Sequence, residues 1–455
     1  MRVVVIGAGV VGCAVVRRLT LDGHQVMLLE RAADILAGAS KANSALLHTG
    51  FDAPPGSLER ELMQRGHAEF MAIRERLNLP LLETGAMVAA WTEEELAKLP
   101  GIEAQARQNG VDDVALLTRA EALAREPALA PHLMGALLVP REHVIDAWSS
   151  PLAYLTQAVA NGAEARFGCE VTGGRHDGRH WFVETSTGTV EGDFVVNCAG
   201  LFGDRLEAAL MGDASFEIRP RKGQFVVYDK PAAKLLTTIL LPVPTERTKG
   251  VVLARTAYGN LLVGPTAEEQ EDRSRATVDQ DALGALMAKA VELIPALADV
   301  PINATYAGLR PASDKKEYRI RHEPDRGWLT LGGIRSTGLT AALGLAAHAA
   351  DLLAAREPAT PIADPAWTTV PNIAEHRERD WQRSGYGEIV CHCELVTDRE
   401  IVAAFGSRLP PGDFGGLRRR TRAAMGRCQG FYCGARLAEL TRGRLAMPLS
   451  IGEAE

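Results

Sequence analysis

The chain lacks a basic excess. Its 50 Lys and Arg face 57 Asp and Glu, for a net charge of −7. A surface that tracks nucleic-acid phosphates needs the opposite balance, so nucleic acid is excluded as the main partner. Also missing is any run of 18 or more apolar residues, which excludes an integral membrane segment. No charged, apolar and cleavable series precedes the strand-like run Val3-Val4-Val5-Ile6. A secretory leader is therefore not expected, and a cytoplasmic setting is. Peripheral attachment to a membrane through a partner stays open. The seven cysteines, an odd number without a leader, do not form a disulfide framework. No internal repeat is visible. With 46% apolar and 24% charged residues, the 455-residue chain is neither disordered nor fibrous. Its length suggests about three domains.

The first 30 residues form a unit. The apolar run at 3–6 suits a buried parallel strand. Gly7-Ala8-Gly9-Val10-Val11-Gly12 follows, then a helical stretch, the turn Asp22-Gly23, and a second strand ending at Glu30. In a dinucleotide-binding βαβ unit Gly7 makes the tight turn and Gly9 admits a pyrophosphate. Gly12 allows close helix–strand packing, and Glu30 accepts from a ribose hydroxyl. NAD and FAD both suit such a unit.

Four cysteines crowd the C-terminal region, as Cys391-His392-Cys393 and Cys428-Gln429-Gly430-Phe431-Tyr432-Cys433, with 34 residues between the pairs. Two close thiolate pairs can hold a [2Fe–2S] cluster or structural zinc, although zinc ribbons use C-x2-C pairs. His392 reads as a neighbour of the ligands. Before this region, Pro358, Pro361, Pro365 and Pro371 predict a semi-extended spacer.

Three stretches resemble the glycine-oxidase and D-amino-acid-oxidase-like superfamily of FAD enzymes, which includes FAD-dependent glycerol-3-phosphate dehydrogenases. They are Gly38-Ala39-Ser40-Lys41-Ala42-Asn43-Ser44, Val195-Val196-Asn197-Cys198-Ala199-Gly200-Leu201 and Gly332-Gly333-Ile334-Arg335-Ser336-Thr337-Gly338-Leu339-Thr340. The resemblance implies an α/β fold: a Rossmann-like FAD-binding domain with an interleaved α+β substrate domain, plus a small C-terminal iron–sulfur domain. Expected boundaries are 1–356 for the FAD-dependent oxidoreductase, 357–383 for the linker and 384–455 for the [2Fe–2S] domain. Within the first, FAD-binding segments fall at about 1–80, 140–215 and 305–356, and substrate segments at about 81–139 and 216–304.

The same resemblance assigns FAD to Gly7, Gly9, Gly12, Glu30, Arg31, Ser40, Asn43, Ser44, Ala199, Gly200, Gly333, Ser336, Thr337, Gly338, Leu339 and Thr340. It makes His48 the base, Arg310 the anion-binding fork and Lys222 an auxiliary pocket residue. Each has a plainer alternative: a structural histidine, an ion-paired arginine, an ordinary strand lysine. The tail, with its run Leu417-Arg418-Arg419-Arg420-Thr421-Arg422 and Arg427-Cys428-Gln429-Gly430, resembles the bacterioferritin-associated-ferredoxin-like [2Fe–2S] domain. That resemblance makes Cys391, Cys393, Cys428 and Cys433 the cluster ligands, and the arginines either neighbours of the anionic cluster or a dock for an acidic acceptor.

A flavin beside a one-electron centre implies a dehydrogenase that feeds an electron-accepting protein subunit or a quinone-linked partner. The implied substrate is a small anionic secondary alcohol, sn-glycerol 3-phosphate first. L-2-hydroxyglutarate or another 2-hydroxy acid, and an amine or imino acid, are the alternatives within the superfamily. A non-catalytic electron-transfer subunit is the alternative outside it.

Overall fold

In the computed structural model, residues 1–244 and 250–449 are described. Two sheets dominate. The first has six strands in the order Arg319–Glu323, Trp328–Gly332, Phe194–Asn197, Arg2–Ile6 (β1), Gln25–Leu29 (β2), Glu164–Arg166. Five are parallel and the outermost, Arg319–Glu323, is antiparallel to its neighbour. Val3, Val4 and Val5 are 1% exposed or less, as a strand covered on both faces requires. Helices Val10–Leu21 (α1), Leu58–Ile73 (α2), Ser149–Ala160 and the Ala-rich Gly338–Ala354 pack on this sheet through one continuous core.

The approach of α1 to the sheet is set by backbone. Gly7 has φ +105°, a left-handed conformation that favours glycine. A Cβ on Gly12 would overlap the Gly7 carbonyl oxygen. The first turn of α1 therefore lies directly against the end of β1, its amides open to the space beyond.

The second sheet is mostly antiparallel. Its long strand Arg221–Tyr228 pairs with Leu261–Gly264 and, over its whole length, with Ile302–Arg310. That last strand runs across the expected segment boundary at 304/305. A third, small sheet joins Leu46–Leu47, His143–Ile145 and Leu81–Leu82.

The C-terminal region folds around its own core of Val390, Val396, Ile401, Leu417 and Leu437. Its helices Asp398–Phe405 and Phe414–Thr421 are capped by Thr397 and Asp413. Two sequence expectations change here. The proline-rich spacer is a strap fixed to the body: Ile362 N–H donates to the Leu21 carbonyl and Asn78 Nδ2 to that of Val370. The Arg76 guanidinium lies 3.6 Å from the Trp367 ring centroid, and Ile373 and Ala374 are buried. Proline removes N–H donors but leaves carbonyls and apolar rings, which this strap uses for docking.

The arginine cluster also turns mostly inward. Arg420 makes a bidentate pair with Asp34, at 2.7 and 2.8 Å, with both side chains at most 5% exposed. Arg419 donates to the Ile35 carbonyl, and Arg422 pairs with Glu375 and Glu394. Arg427 pairs with Asp229 of the body. Arg418, within electrostatic range of Cys433, and the exposed Arg427, next to Cys428, keep to the other expectation. A helix bearing Gly416 can sit against Asp34 because a Cβ there would strike the carboxylate.

Replacing Arg420 by Met leaves the Asp34 carboxylate buried without its cation, and should cost about 3–5 kcal/mol in urea unfolding. The double variant Asp34→Leu/Arg420→Met should recover part of that loss. A cost under about 1 kcal/mol would show that the pair behaves like a surface pair.

Candidate active site

The C-terminal ends of the parallel strands open into a cavity of about 1370 Å³ between the two sheets. Gly7, Gly9, Glu30, Arg31, Ser40, Asn43, Ser44, Ala199, Gly200, Gly333, Ser336, Thr337, Gly338 and Leu339 all line it. Two predicted cofactor residues do not. Gly12 serves the packing described above. Thr340 is buried, where its hydroxyl accepts from the His48 N–H at 3.0 Å.

The donors fit a dinucleotide. The first-turn Val10 N–H donates to Ser40 Oγ at 3.1 Å, so a loop hydroxyl already marks the helix N-terminus. The Glu30 carboxylate, at the end of β2, accepts from Ala8 and Ala32 N–H groups. The Ala-rich helix begins at Gly338 without a side-chain cap, leaving its first amides and the positive end of its dipole toward the cavity.

Across the cavity lies the expected substrate machinery. His48 follows the strand Leu46–Leu47, and Leu47 pairs with His143 in antiparallel register. The next position along that ladder sets His48 opposite Glu142. Its Nδ1 lies 2.7 Å from Glu142 Oε2, and the Glu142 side chain is fully buried. The other carboxylate oxygen accepts from the Thr49 N–H and hydroxyl. Glu142 escaped sequence reading. It stands 94 residues from His48, and only strand pairing joins them.

Arg310 also lines the cavity. Among the described residues it has no carboxylate partner, and its Nη2 donates to the Thr266 carbonyl at 2.7 Å. Burial first, then the neighbouring Arg221, lowers its pKa to about 10. An entering anion would relieve that desolvated charge. Lys222 is not brought to the cavity. Strand alternation turns Arg221 and Gly223 toward it and Lys222 away, where Nζ meets Glu268 at 2.9 Å.

In the tail, Cys433 lies within electrostatic reach of Cys391 and Cys428, and Cys393 within reach of Cys428 and Cys391. Backbone N–H groups of Tyr432, Gly430 and Phe431 point at the Cys428 sulfur and lower its pKa. Among the described residues no three His, Cys, Asp or Glu side chains form a set for a single ion. Four thiols gathered in one place suit a binuclear cluster, in which each iron takes two thiolates.

Comparison with known proteins supports both cofactors. Residues 2–352 match the FAD dependent oxidoreductase family model. The chain belongs to that family. Residues 389–442 match the BFD-like [2Fe-2S] binding domain. A glycerol 3-phosphate dehydrogenase of Caloramator mitchellensis is 30% identical over 98% of this chain and 95% of its own. One subunit of the anaerobic glycerol-3-phosphate dehydrogenase of Escherichia coli is 27% identical, with 96% of this chain and 87% of that one covered. The dithionite-reduced, FAD-bound L-alpha-glycerophosphate oxidase of Mycoplasma pneumoniae superposes with a TM-score of 0.75 at 27% identity, covering 81% and 98%. This member of the FAD dependent oxidoreductase family therefore binds FAD and carries a [2Fe–2S] cluster. No helix among its described residues is long and apolar enough to cross a membrane.

Gly12→Val should abolish FAD retention, because α1 must move off β1 to clear the Gly7 carbonyl. The check is flavin absorbance of the purified variant; a stoichiometric yellow protein would contradict the role given to this contact.

Proposed function

We propose that this chain oxidises sn-glycerol 3-phosphate at C2 to dihydroxyacetone phosphate, passing the electrons through its iron–sulfur domain to a protein or quinone-linked acceptor. The observation that carries this reading is His48, held from behind by Glu142, on the wall of a cavity that also takes in the half-buried Arg310 guanidinium. Support also comes from the full-length likeness to a glycerol 3-phosphate dehydrogenase, together with the C-terminal [2Fe–2S] domain.

Bound FAD supplies the hydride acceptor, and the [2Fe–2S] cluster a one-electron exit. Gly7, Gly9, Ser40 and the first turn of α1 would hold the pyrophosphate, with Glu30 at the ribose. Gly333 and 336–339 would lie against the flavin ring. Cys391, Cys393, Cys428 and Cys433 would hold the cluster.

The chain's own residues handle the proton and the charge. Glu142 accepts from His48 Nδ1–H, which fixes the tautomer and leaves Nε2 as an acceptor. Nε2 takes the C2 hydroxyl proton as the C–H bond breaks, and Glu142 stabilises the imidazolium that results. Arg310, oriented by the Thr266 carbonyl, grips the phosphate with its planar fork. Thr340 anchors the His48 backbone to the Ala-rich helix, so the base and that helix N-terminus keep a fixed relation.

Initial rates with an artificial one-electron acceptor test the substrate assignment. Turnover with sn-glycerol 3-phosphate should far exceed that with L-2-hydroxyglutarate. The reverse order would assign Arg310 to a carboxylate and overturn the reading.

Two variants test the roles. Glu142→Gln should lower kcat by about 10²-fold or more while KM and FAD content hold, since only the proton transfer loses its support. Unchanged kcat would remove Glu142 from the mechanism. Arg310→Met should lower kcat/KM by about 10²-fold, chiefly through KM. An unaffected KM would mean that another cation binds the phosphate.

A further inference from the structure

Electrons that leave the flavin must cross from the cavity to the cysteine domain, and the chain places a set of aromatic rings between them. Phe225 lines the cavity. Its ring stacks on Tyr306 at 4.7 Å and 18°. The Tyr306 hydroxyl donates to the Asn43 carbonyl, on the loop that lines the same cavity. Tyr258 stacks on Trp148 at 5.1 Å and 16°, and the Trp148 indole N–H donates to the Lys41 carbonyl of that loop.

The far side of this group belongs to the tail. Arg422 sits 5.2 Å above the Tyr258 ring and donates to the Tyr258 carbonyl at 3.3 Å. It also pairs with Glu394, the residue next to Cys393. A contact path therefore runs from the cavity loop at Lys41 through Trp148, Tyr258 and Arg422 to Glu394, the neighbour of a cysteine of the cluster set. Aromatic side chains fill space well, and packing alone could explain one stacked pair. Two pairs that hold the same cavity loop, one of them under the buried arginine of the docked domain, need a further reason.

We infer that Trp148 and Tyr258, joined through the cavity loop to the Phe225–Tyr306 stack, form the electron relay between flavin and iron–sulfur cluster, with Tyr258 as the ring that the docked domain covers. One electron leaves reduced flavin and takes one ferric iron of the cluster to ferrous; no bond is made or broken, and the second electron follows once an external acceptor has reoxidised the cluster. The inference rests on the two cofactors and not on the substrate proposed above.

Laser-flash reduction of the flavin with no substrate present, followed by the absorbance of the cluster, tests it independently of that substrate. The Tyr258 hydroxyl donates to Asp146 at 2.6 Å, so Tyr258→Phe removes a hydrogen bond but keeps the ring. Tyr258→Leu removes the ring but keeps the carbonyl that Arg422 uses. Transfer should slow by at least an order of magnitude in Tyr258→Leu and stay near that of the parent in Tyr258→Phe. Trp148→Leu should show an intermediate loss. Melting temperature and protease resistance of the strap report docking: if Tyr258→Leu undocks the tail, Trp148→Leu decides. Equal rates in the parent and in a docked leucine variant overturn the relay. So does an equal loss in the phenylalanine and leucine variants, which would trace the effect to the Asp146 hydrogen bond.

Discussion

The contact between Gly12 and the Gly7 carbonyl is the constraint on which the rest of the molecule turns. It leaves room for hydrogen alone, and so presses the first turn of α1 against the end of β1. With the helix fixed there, its amides stand at the mouth of the parallel sheet, and the 38–44 loop can reach back so that Ser40 accepts from Val10. The Ala-rich helix packs on α1 and α2 and turns its own N-terminus to the same cavity. Through Thr340 it also holds the backbone of His48. One backbone contact thereby sets the positions of two helix dipoles and of the proposed base.

Much of this was legible in the sequence because the signals are local. The apolar run at 3–6, the glycine spacing and the spacing within each cysteine pair each lie within a few residues. The pairing of His48 with Glu142 was not, since it depends on the register of two short strands far apart in sequence. Lys222 was misread because its segment runs into the cavity but its own position on the strand faces Glu268. The inward turn of the arginines and the docking of the strap were not legible for a shared reason. A run of charge or of proline suggests solvent or a spacer, and only the buried partners Asp34, Glu394 and Ile373 show where these segments go.

Those inward arginines change how the iron–sulfur domain is understood. It has its own core, yet Arg420 and Arg422 fix it to the loop after β2 and to the strap. A domain held by a buried bidentate pair and by a buried hydrogen bond to the strap keeps one orientation to the cavity, which a swinging tether would not. The cofactor loop, the aromatic stacks and the cysteine domain are thus one mechanical unit. The likeness to a dehydrogenase over nearly the whole chain fits an arrangement in which oxidation and electron exit are built together.

The most direct measurement is anaerobic stopped-flow spectroscopy of the FAD- and cluster-loaded chain mixed with sn-glycerol 3-phosphate, recording flavin and cluster bleaching together. The account predicts fast flavin bleaching, followed by cluster reduction in a slower phase within the same chain, with dihydroxyacetone phosphate formed in step with the flavin. A flavin that stays oxidised under saturating sn-glycerol 3-phosphate, or a cluster that stays oxidised while the flavin bleaches, would contradict it.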